Sequence, residues 1–504
     1  MNRHRNAIAV VGAGSLGCMV ALFLDRFGFQ VTLLESEDDL LRGASQVSFV
    51  NHGDGFEYYK RNHKRTGEAC IEGALVKALI FPSSFLATAV CNRDNPIRFF
   101  VSEGSVNKGL ITPAGFIANA TYMWKHYSHM YHALRRACGL TDEEAEELLG
   151  GAPPTFMSEL SPDECSDVRR AVAGVAGNCF GINMPHYYAL LKAALRESRV
   201  VVRCSERLTG IAQQREGGYR LDLAGDSLRA HQVVVCAAHH IPKIAALVSP
   251  GSSSGGLRGV FYLNSMTFLR LPATSDKRLL TAVRRINFTL MEEHGGMYAC
   301  IVPPTTAHDG LAAIYYPHSS GSQIAAIAAD RGKDPCPPDE WDDQVAKGLD
   351  NSNEHVENTI AHIRKLYGFL VGYGEVSHTG CRTVFNSDVR GSDGGRDRRV
   401  RELEARHHQL TADGLVTGWA APKWTSAELA ALIAVDYVLQ RSGREPLKKC
   451  VHHGCGPTRI DVVSVLKRIS FQHQRASQID AKRYAKASRL PERIVCANHP
   501  RFTP

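Results

Sequence analysis

Blocks of apolar residues separated by small and polar ones predict a strand, a turn, a helix and a second strand at the start of the chain. The apolar run 7–11 is short and ends at glycines, as a buried strand does. An apolar helical stretch, 18–27, follows, and 30–34 predicts a second strand that ends at Glu35. A glycine turn in this strand–turn–helix–strand order is more informative than the same turn alone.

The turn has G-x-G-x-x-G spacing and comprises Gly12, Ala13, Gly14, Ser15, Leu16 and Gly17. Its first glycine permits a tight turn, its second lets the main chain approach a pyrophosphate, and its third lets the helix pack closely on the strand. The helix N-terminus offers free N–H groups and partial positive charge to phosphates. The Glu35 carboxylate can accept hydrogen bonds from an adenosine ribose. We therefore predict a dinucleotide site; the alternative is a glycine turn in an α/β protein without a ligand.

A group of small and polar residues follows the predicted second strand. It includes Ser36, Arg42, Gly43, Ala44 and Ser45, and His52-Gly53 comes shortly after. Such a loop can run back over a bound cofactor, with the Ser45 hydroxyl and main-chain N–H groups facing phosphates. An ordinary surface loop is the alternative.

Short segments in the middle of the chain predict two further groups of strands. Segments 200–203, 219–223 and 230–235 form the first group, and Cys236 ends the last of them beside small residues. Residues 259–320 alternate between apolar and polar positions, which is the pattern of an antiparallel sheet.

A strand and a small-residue turn recur near residue 420. Residues 413–419 predict a strand that includes Gly418, and the turn after it contains Lys423, Trp424 and Thr425. A helix is predicted over 426–440. A second helix N-terminus so far from the first indicates a discontinuous cofactor domain whose last piece lies here.

Composition narrows the remaining classes of protein. The chain has 504 residues, of which 44% are hydrophobic and 22% charged, so two or more domains are expected. No segment has the roughly 20 uncharged apolar residues that a membrane-spanning helix needs. The 14 cysteines lack framework spacing. They indicate a reducing compartment, and we expect a cytoplasmic location.

The net charge of +8 lies entirely in the C-terminal tail. Residues 445–504 contain 12 Lys and Arg against 4 Asp and Glu, and the rest of the chain has 47 of each kind. Such a tail is typical of a solvated or surface-docked extension, and it could meet acidic lipids at a membrane surface or nucleic acid.

The same tail contains cysteines and histidines that could hold zinc: Cys450, His452, His453, Cys455, Cys496 and His499. Their spacing is irregular, so we expect free thiols and no metal.

Taken together, the glycine turn with its following loop and the segment around residue 420 give the chain a resemblance to a known family. The chain resembles the D-amino-acid oxidase superfamily of FAD-dependent oxidoreductases over roughly residues 7–441. The resemblance rests on Gly12-x-Gly14-x-x-Gly17 with Glu35, Gly43-Ala44-Ser45 to His52-Gly53, the strands around Leu208, and Asp413-Gly414-Leu415 with Lys423-Trp424-Thr425. Three features look like FAD-dependent glycerol-3-phosphate dehydrogenase in particular: the Gly-Ala-Ser to His-Gly loop, Gly380-x-Arg382 with Arg396-Asp397, and the Lys-Trp-Thr turn.

The resemblance implies an α/β fold with a discontinuous Rossmann-like FAD-binding domain and a second, α+β substrate domain built on a mixed or antiparallel sheet. The implied boundaries are 1–90, 175–245 and 375–444 for the FAD-binding domain, 91–174 and 246–374 for the substrate domain, and 445–504 for the basic extension.

The resemblance also implies that FAD lies extended, with its adenosine on Glu35 and its pyrophosphate on the first helix. The main chain at Leu208 would meet adenine, and the flavin would lie against the 43–53 loop and the 418–425 turn. The residues implied to contact FAD are those of the glycine turn together with Glu35, Ser36, Arg42, Gly43, Ala44, Ser45, Leu208, Cys236, Gly418, Lys423, Trp424 and Thr425.

The chain departs from the glycerol-phosphate pattern at three places. The arginine just after the His-Gly-Gly of that subgroup is absent, and Glu57 nearby would repel a phosphate. The arginine expected soon after Lys-Trp-Thr is also absent, since Thr425 is followed by Ser426-Ala427-Glu428. The turn reads Ala421-Pro422-Lys423 instead of Gly-Gly-Lys. These differences disfavour glycerol 3-phosphate as the substrate and leave the flavin site intact.

Three residues are candidates for the chemistry. Lys423, or the main chain at the start of the next helix, could stabilise the reduced flavin anion, or Lys423 is a surface residue beside a helix cap. Arg382 could grip a substrate carboxylate, or it forms an ion pair with Asp388 or Asp397. His52 could be a base or a covalent flavin anchor, or it is a loop histidine bonded to main chain.

We therefore expect an FAD-dependent oxidoreductase that oxidises a C–N bond of a small, carboxylate-bearing amine or amino acid, with the hydride of the adjoining C–H bond passing to flavin N5. Oxidation of a hydroxy acid or polyol stays open. So does a flavin-containing protein that associates with nucleic acid through its basic tail. Oxygen, a quinone and a carrier protein are all open as the electron acceptor.

Overall fold

The structure is a computed structural model. It describes residues 6–43, 45, 55–56, 64–80, 90–91, 97–138, 140–149, 157–168, 170–177, 181–182, 184–248, 260–271, 275, 277, 288–291, 297–302, 310–315, 323–324, 375–386, 406–421, 427–447, 451–453 and 456–459.

Strands and helices alternate in the first half of the described chain, and strands dominate the second half. The strands are β1 (Ala7–Val11), β2 (Gln30–Leu34), β3 (Val90–Cys91), β4 (Arg98–Ser102), β5 (Met157–Glu159), β6 (Ala171–Gly177), β7 (Gly181–Ile182), β8 (Val201–Arg203), β9 (Leu208–Gln213), β10 (Tyr219–Leu223), β11 (Ser227–Ala230), β12 (Gln232–Val235), β13 (Val260–Leu271), β14 (Phe288–Met291), β15 (Met297–Val302), β16 (Gly310–Tyr315), β17 (Gln323–Ile324), β18 (Glu375–Asn386), β19 (Arg406–Gln409), β20 (Val416–Ala420), β21 (Val451–His453) and β22 (Gly456–Arg459). The helices are α1 (Ser15–Arg26), α2 (Lys64–Ile80), α3 (Glu103–Asn107), α4 (Pro113–Cys138), α5 (Asp142–Leu149), α6 (Pro162–Ser166), α7 (Met184–Glu197), α8 (Ile241–Ala246) and α9 (Ala427–Arg441).

A six-stranded sheet in the order β19-β20-β12-β1-β2-β8 carries the glycine turn. Its strands are parallel except for β19, which is antiparallel to β20. Both β1 and β12 are almost entirely buried. Burial on both faces explains why their sequences are continuous apolar runs.

The two faces of this sheet belong to two hydrophobic cores. Ile8 and Val10 share a core with α1 and α9, which pack against each other. Ala9 and Val11 point into the other core, which contains β10 from the small antiparallel sheet β11-β10-β9. The alternation along β1 therefore joins the two layers through one strand.

A nine-stranded sheet forms the second part of the fold. Its order is β17-β13-β16-β15-β14-β4-β6-β5, with β18 paired to β13. The β4–β14 pair is parallel and the other pairs are antiparallel. The predicted fold class, an α/β chain with one Rossmann-like sheet and a mixed second sheet, is confirmed.

Sheet pairing bears on one predicted segment in particular. The implied FAD-binding domain includes residues 375–386, whereas β18 pairs with β13 along the large sheet. Strand pairing alone does not divide the chain into domains, so the predicted boundaries remain predictions.

Across the part of the chain that the structure describes, no helix is both long enough and apolar enough to cross a bilayer.

The first residues of the basic tail pack on the body. Leu447 is buried, and β22 contacts both α9 and β19. The remainder of the tail, from residue 460, lies outside the described residues.

Candidate functional site

The glycine turn between β1 and α1 leaves no room for a side chain at Gly12 or Gly17. Gly12 has φ +95°, and a Cβ there would lie 2.9 Å from the Cα of Ala237. A Cβ on Gly17 would lie 1.9 Å from the carbonyl oxygen of Gly12. These two glycines are therefore required by the close approach of α1 to the turn and of the turn to the end of β12.

The N-terminus of α1 is capped from a distant loop. Gly14 is the N-cap residue and has no side chain to offer. Ser45 supplies the missing oxygen: its Oγ accepts a hydrogen bond from the Ser15 N–H at 2.9 Å and lies 3.1 Å from the Ser15 hydroxyl. The first turn of α1 contains no acidic residue of its own; the carboxylate beside this helix end is that of Glu35, from the end of β2.

Glu35 lies beside the turn at the end of β2. Its Oε2 accepts a hydrogen bond from the Ala13 N–H at 2.8 Å, and Oε1 accepts from the Glu37 N–H at 3.2 Å and the Ser36 hydroxyl at 3.3 Å. The main chain of Glu35 is tied to the β8 end, because its N–H donates to the Arg203 carbonyl at 2.9 Å. The carboxylate is thus held at the rim of the glycine turn.

The chain after β2 folds back onto the turn. Leu41 adopts φ +67°, and its N–H donates to the Ala13 carbonyl at 2.9 Å. Arg42 is paired with Asp38, Nε to Oδ1 3.5 Å. A Cβ on Gly43 would meet nothing within 4 Å. As far as the described residues reach, the chain after β2 runs back to the glycine turn; its predicted course over the cofactor remains a prediction.

Two buried thiols lie near the turn. The Cys236 N–H donates to the Val11 carbonyl at 2.7 Å, and a Cβ on Gly17 would be 3.3 Å from the Cys236 Cβ. Cys18 donates from Sγ to the Ala13 carbonyl at 3.3 Å. Burial raises the pKa of both thiols, so neither adds negative charge beside a phosphate site.

The other predicted residues lie on three further strands or outside the described residues. Leu208 begins β9, and Gly418 pairs with Val235 between β20 and β12. Arg382 is opposite Asn264 on β18, where the structure describes the main chain only. The residues that lie outside the described ones are Ala44, His52, Lys423, Trp424 and Thr425.

Two tyrosines of α7 that the sequence did not single out contact elements of the site. The Tyr188 hydroxyl donates to the Ser45 carbonyl. The Tyr187 hydroxyl donates to Glu428 Oε1 at 2.8 Å, at the start of α9. Burial, followed by the nearby Glu428 carboxylate, raises the pKa of Tyr187. Neither contact has a local sequence pattern, because the partners are 143 and 241 residues apart.

A family model described as FAD dependent oxidoreductase (DAO) matches residues 7–298. The chain belongs to this family. Its FAD-binding fold, its cofactor and its standing as an oxidoreductase enzyme follow from that membership. The curated proteins contain no match to the chain.

Solved structures of FAD-family enzymes share the fold at low sequence identity. Glycine oxidase from Geobacillus kaustophilus superposes with TM-score 0.54 at 13% identity, covering 88% of this chain and 96% of that one. NikD, an amino acid oxidase essential for nikkomycin biosynthesis, gives 0.51 at 12%, covering 89% and 99%. FAD-bound L-α-glycerophosphate oxidase from Mycoplasma pneumoniae gives 0.50 at 14%, covering 88% and 96%.

The described residues fit FAD by their own chemistry. The α1 N-terminus presents N–H donors with no acid in its own first turn, and the Ser45 hydroxyl can turn toward a phosphate oxygen. The Glu35 carboxylate at the rim carries acceptor oxygens of the kind that ribose hydroxyls can bond. Among the residues that the structure describes, no group of three or more His, Cys, Asp or Glu side chains could hold a metal ion.

Proposed function

We propose that this FAD-dependent oxidoreductase oxidises a C–N bond of a small amine or amino acid that carries a carboxylate. One observation favours this substrate class over a phosphate ester. The arginine that the glycerol-phosphate pattern expects soon after Lys-Trp-Thr is absent, and the acidic Glu428 lies in that region. Its side chain is 0% exposed and accepts a hydrogen bond from Tyr187 at 2.8 Å.

The absence of this arginine disfavours a phosphate ester. Phosphate sites in proteins rely on arginine, lysine and main-chain N–H donors. The Glu428 side chain is buried in the protein core and engaged by the Tyr187 hydroxyl, so it supplies no such donor. The arginine expected just after His-Gly is absent as well, and the acidic Glu57 lies nearby in the sequence.

The names of the structural neighbours support the same class. Glycine oxidase and the amino acid oxidase NikD act, as their names say, on amino acids. L-proline dehydrogenase from P. horikoshii, with TM-score 0.50, is also named for an amino acid substrate. Glycerophosphate oxidase, which is named for a phosphate ester, is the counterexample among these neighbours. Oxidation of a hydroxyl group is therefore the second candidate function of this chain.

Bound FAD would supply the hydride acceptor, and the chain would bind and orient the substrate. Arg382 is proposed to hold the substrate carboxylate in a bidentate pair, which fixes the direction of the C–H bond. His52 is proposed to receive the proton from the substrate nitrogen. Lys423, or the start of α9, is proposed to place positive charge near the flavin.

Anaerobic mixing of the holoenzyme with candidate substrates tests the proposal directly. The panel contains amino acids, secondary amines, hydroxy acids and glycerol 3-phosphate, and flavin bleaching is recorded for each. We expect bleaching by at least one amino acid or amine and none by glycerol 3-phosphate. Bleaching confined to hydroxy acids or to glycerol 3-phosphate would contradict C–N oxidation.

A further inference from the structure

Tyr188 links α7 to the loop that caps α1. Its hydroxyl donates to the main-chain carbonyl of Ser45, and the Tyr188 side chain is buried. The Oγ of the same Ser45 accepts from the Ser15 N–H. An uninterrupted path of hydrogen bonds therefore runs from Tyr188 through Ser45 to the first turn of α1.

This path matters because Gly14 cannot cap its own helix. The capping hydrogen bond is accepted by the Ser45 side chain, thirty residues after Ser15 in the sequence. A hydroxyl on a loop holds its position only if the loop is fixed, and ordering a loop residue costs conformational entropy. The Tyr188 hydroxyl provides one of the contacts that hold the Ser45 main chain in place.

Tyr187 anchors the helix from which Tyr188 projects. Its hydroxyl bonds to the buried Glu428 at the start of α9, and its ring meets the Tyr188 ring edge-on with centroids 5.8 Å apart. Both α7 and α9 pack against α1. The two adjacent tyrosines of α7 thus make two separate connections: Tyr188 holds the Ser45 loop, and Tyr187 holds the start of α9.

We propose that Tyr188 is a positioning residue for FAD: it holds Ser45 at the N-terminus of α1 and thereby sets the affinity for the FAD pyrophosphate. Tyr187 keeps Tyr188 in place through Glu428. This role concerns cofactor affinity, and it is independent of the identity of the substrate.

Tyr188→Phe in the full-length holoenzyme tests the role. Phenylalanine keeps the ring and its packing and removes only the hydroxyl. We expect the FAD dissociation constant, followed by flavin fluorescence on dilution, to rise about three- to tenfold, the range that one net hydrogen bond gives. The unfolding temperature measured at saturating FAD should change little.

Tyr219→Phe is the matched control. Tyr219 is also a buried tyrosine whose hydroxyl donates a hydrogen bond, here to the Asp413 carboxylate at 2.8 Å, and it contacts a turn before β20 instead of the glycine turn. We expect this variant to lower the unfolding temperature and to leave FAD affinity unchanged. Wild-type affinity in Tyr188→Phe, or an equal loss in both variants, would overturn the proposal.

A double-mutant cycle with Ser45→Ala adds a second criterion. If Tyr188 acts through Ser45, the loss in the double variant should be close to that of Ser45→Ala alone. Losses in affinity that simply multiply would show that Tyr188 acts elsewhere, and the positioning role would be rejected.

Discussion

The main-chain N–H of Ala13 donates a hydrogen bond to the side chain of Glu35, N to Oε2 2.8 Å, across the ends of the first two parallel strands. The contact joins the middle of the glycine turn to the acid that closes the second strand. This contact within the protein chain holds the carboxylate at the rim of the turn. The acid and the helix N-terminus are therefore preorganised relative to each other.

Replacement of Glu35 tests whether this carboxylate binds ribose. Glu35→Ala should weaken FAD binding by roughly 1.5–3 kcal/mol, the range for hydrogen bonds to a charged acceptor. Glu35→Gln keeps the length of the side chain and one acceptor oxygen, so it should lose less. Fluorescence titration of FAD measures both. Unchanged affinity in Glu35→Ala would mean that the acid serves only to hold Ala13.

Gly17→Ala tests the close approach of α1 to the turn. The added Cβ would lie 1.9 Å from the Gly12 carbonyl oxygen, so the helix must move away from the turn. We expect the purified variant to contain no FAD. Gly225→Ala is the control, since an added Cβ in this exposed turn meets nothing within 4 Å. A Gly17→Ala protein with full flavin content would contradict the described geometry.

The local elements of the site could be predicted from the sequence. The predicted strands 7–11 and 30–34 coincide with β1 and β2, and burial on both faces accounts for the continuous apolar pattern of β1. The helix, predicted from residue 18, begins at Ser15. Its first turn is capped by Ser45, and a cap supplied from a distant loop leaves no mark in the helix sequence.

Contacts between distant segments could not be predicted. Tyr188 meets Ser45 and Tyr187 meets Glu428 only after the chain has folded. The same holds for β18, whose sequence does not reveal that it pairs with β13. Periodicity reports which face of an element is buried, whereas the partner across that face depends on the packing of the whole chain.

The pH dependence of stability should report on Asp413. Burial opposes its ionisation, but hydrogen bonds from the Leu415 N–H, the Thr411 hydroxyl and the Tyr219 hydroxyl outweigh burial and lower its pKa below the ordinary value of an aspartate. A lowered pKa stabilises the fold above the unfolded-state value, and that stability is lost as pH falls through the folded-state value.

Asp413→Asn removes this titration. At neutral pH the variant should be less stable than wild type, by no more than about 1 kcal/mol because the group is partly exposed. Its unfolding temperature should fall less steeply in acid, so the two curves converge as pH drops below about 4. Thermal unfolding followed across this range checks the slope. Parallel curves would show that Asp413 does not titrate with folding.

Two truncations separate the packed start of the basic tail from the rest. Arg444 donates to the Phe27 carbonyl and to Asn6 Oδ1, and its guanidinium lies 3.8 Å from the Phe29 ring centroid. Leu447 is 3% exposed and its N–H donates to buried Asp436. A chain ending at Gly443 loses these contacts, whereas a chain ending at Leu447 keeps them.

We expect the chain ending at Leu447 to retain FAD and to unfold at a higher temperature than the chain ending at Gly443. The stability difference should be about 3 kcal/mol, from the burial of one leucine and two or three hydrogen bonds. Flavin content and thermal unfolding of both proteins are the measurements. If neither truncated protein holds FAD, the tail beyond residue 447 belongs to the cofactor domain.

The FAD content of the purified full-length chain tests the central claim most directly. The flavin is released by denaturation, identified by chromatography and quantified against protein. The glycine turn, the Ser45 cap and the Glu35 rim predict about one FAD per chain, or stoichiometric uptake of added FAD by flavin-free protein. A folded chain that is isolated without flavin and binds no added FAD would contradict the account.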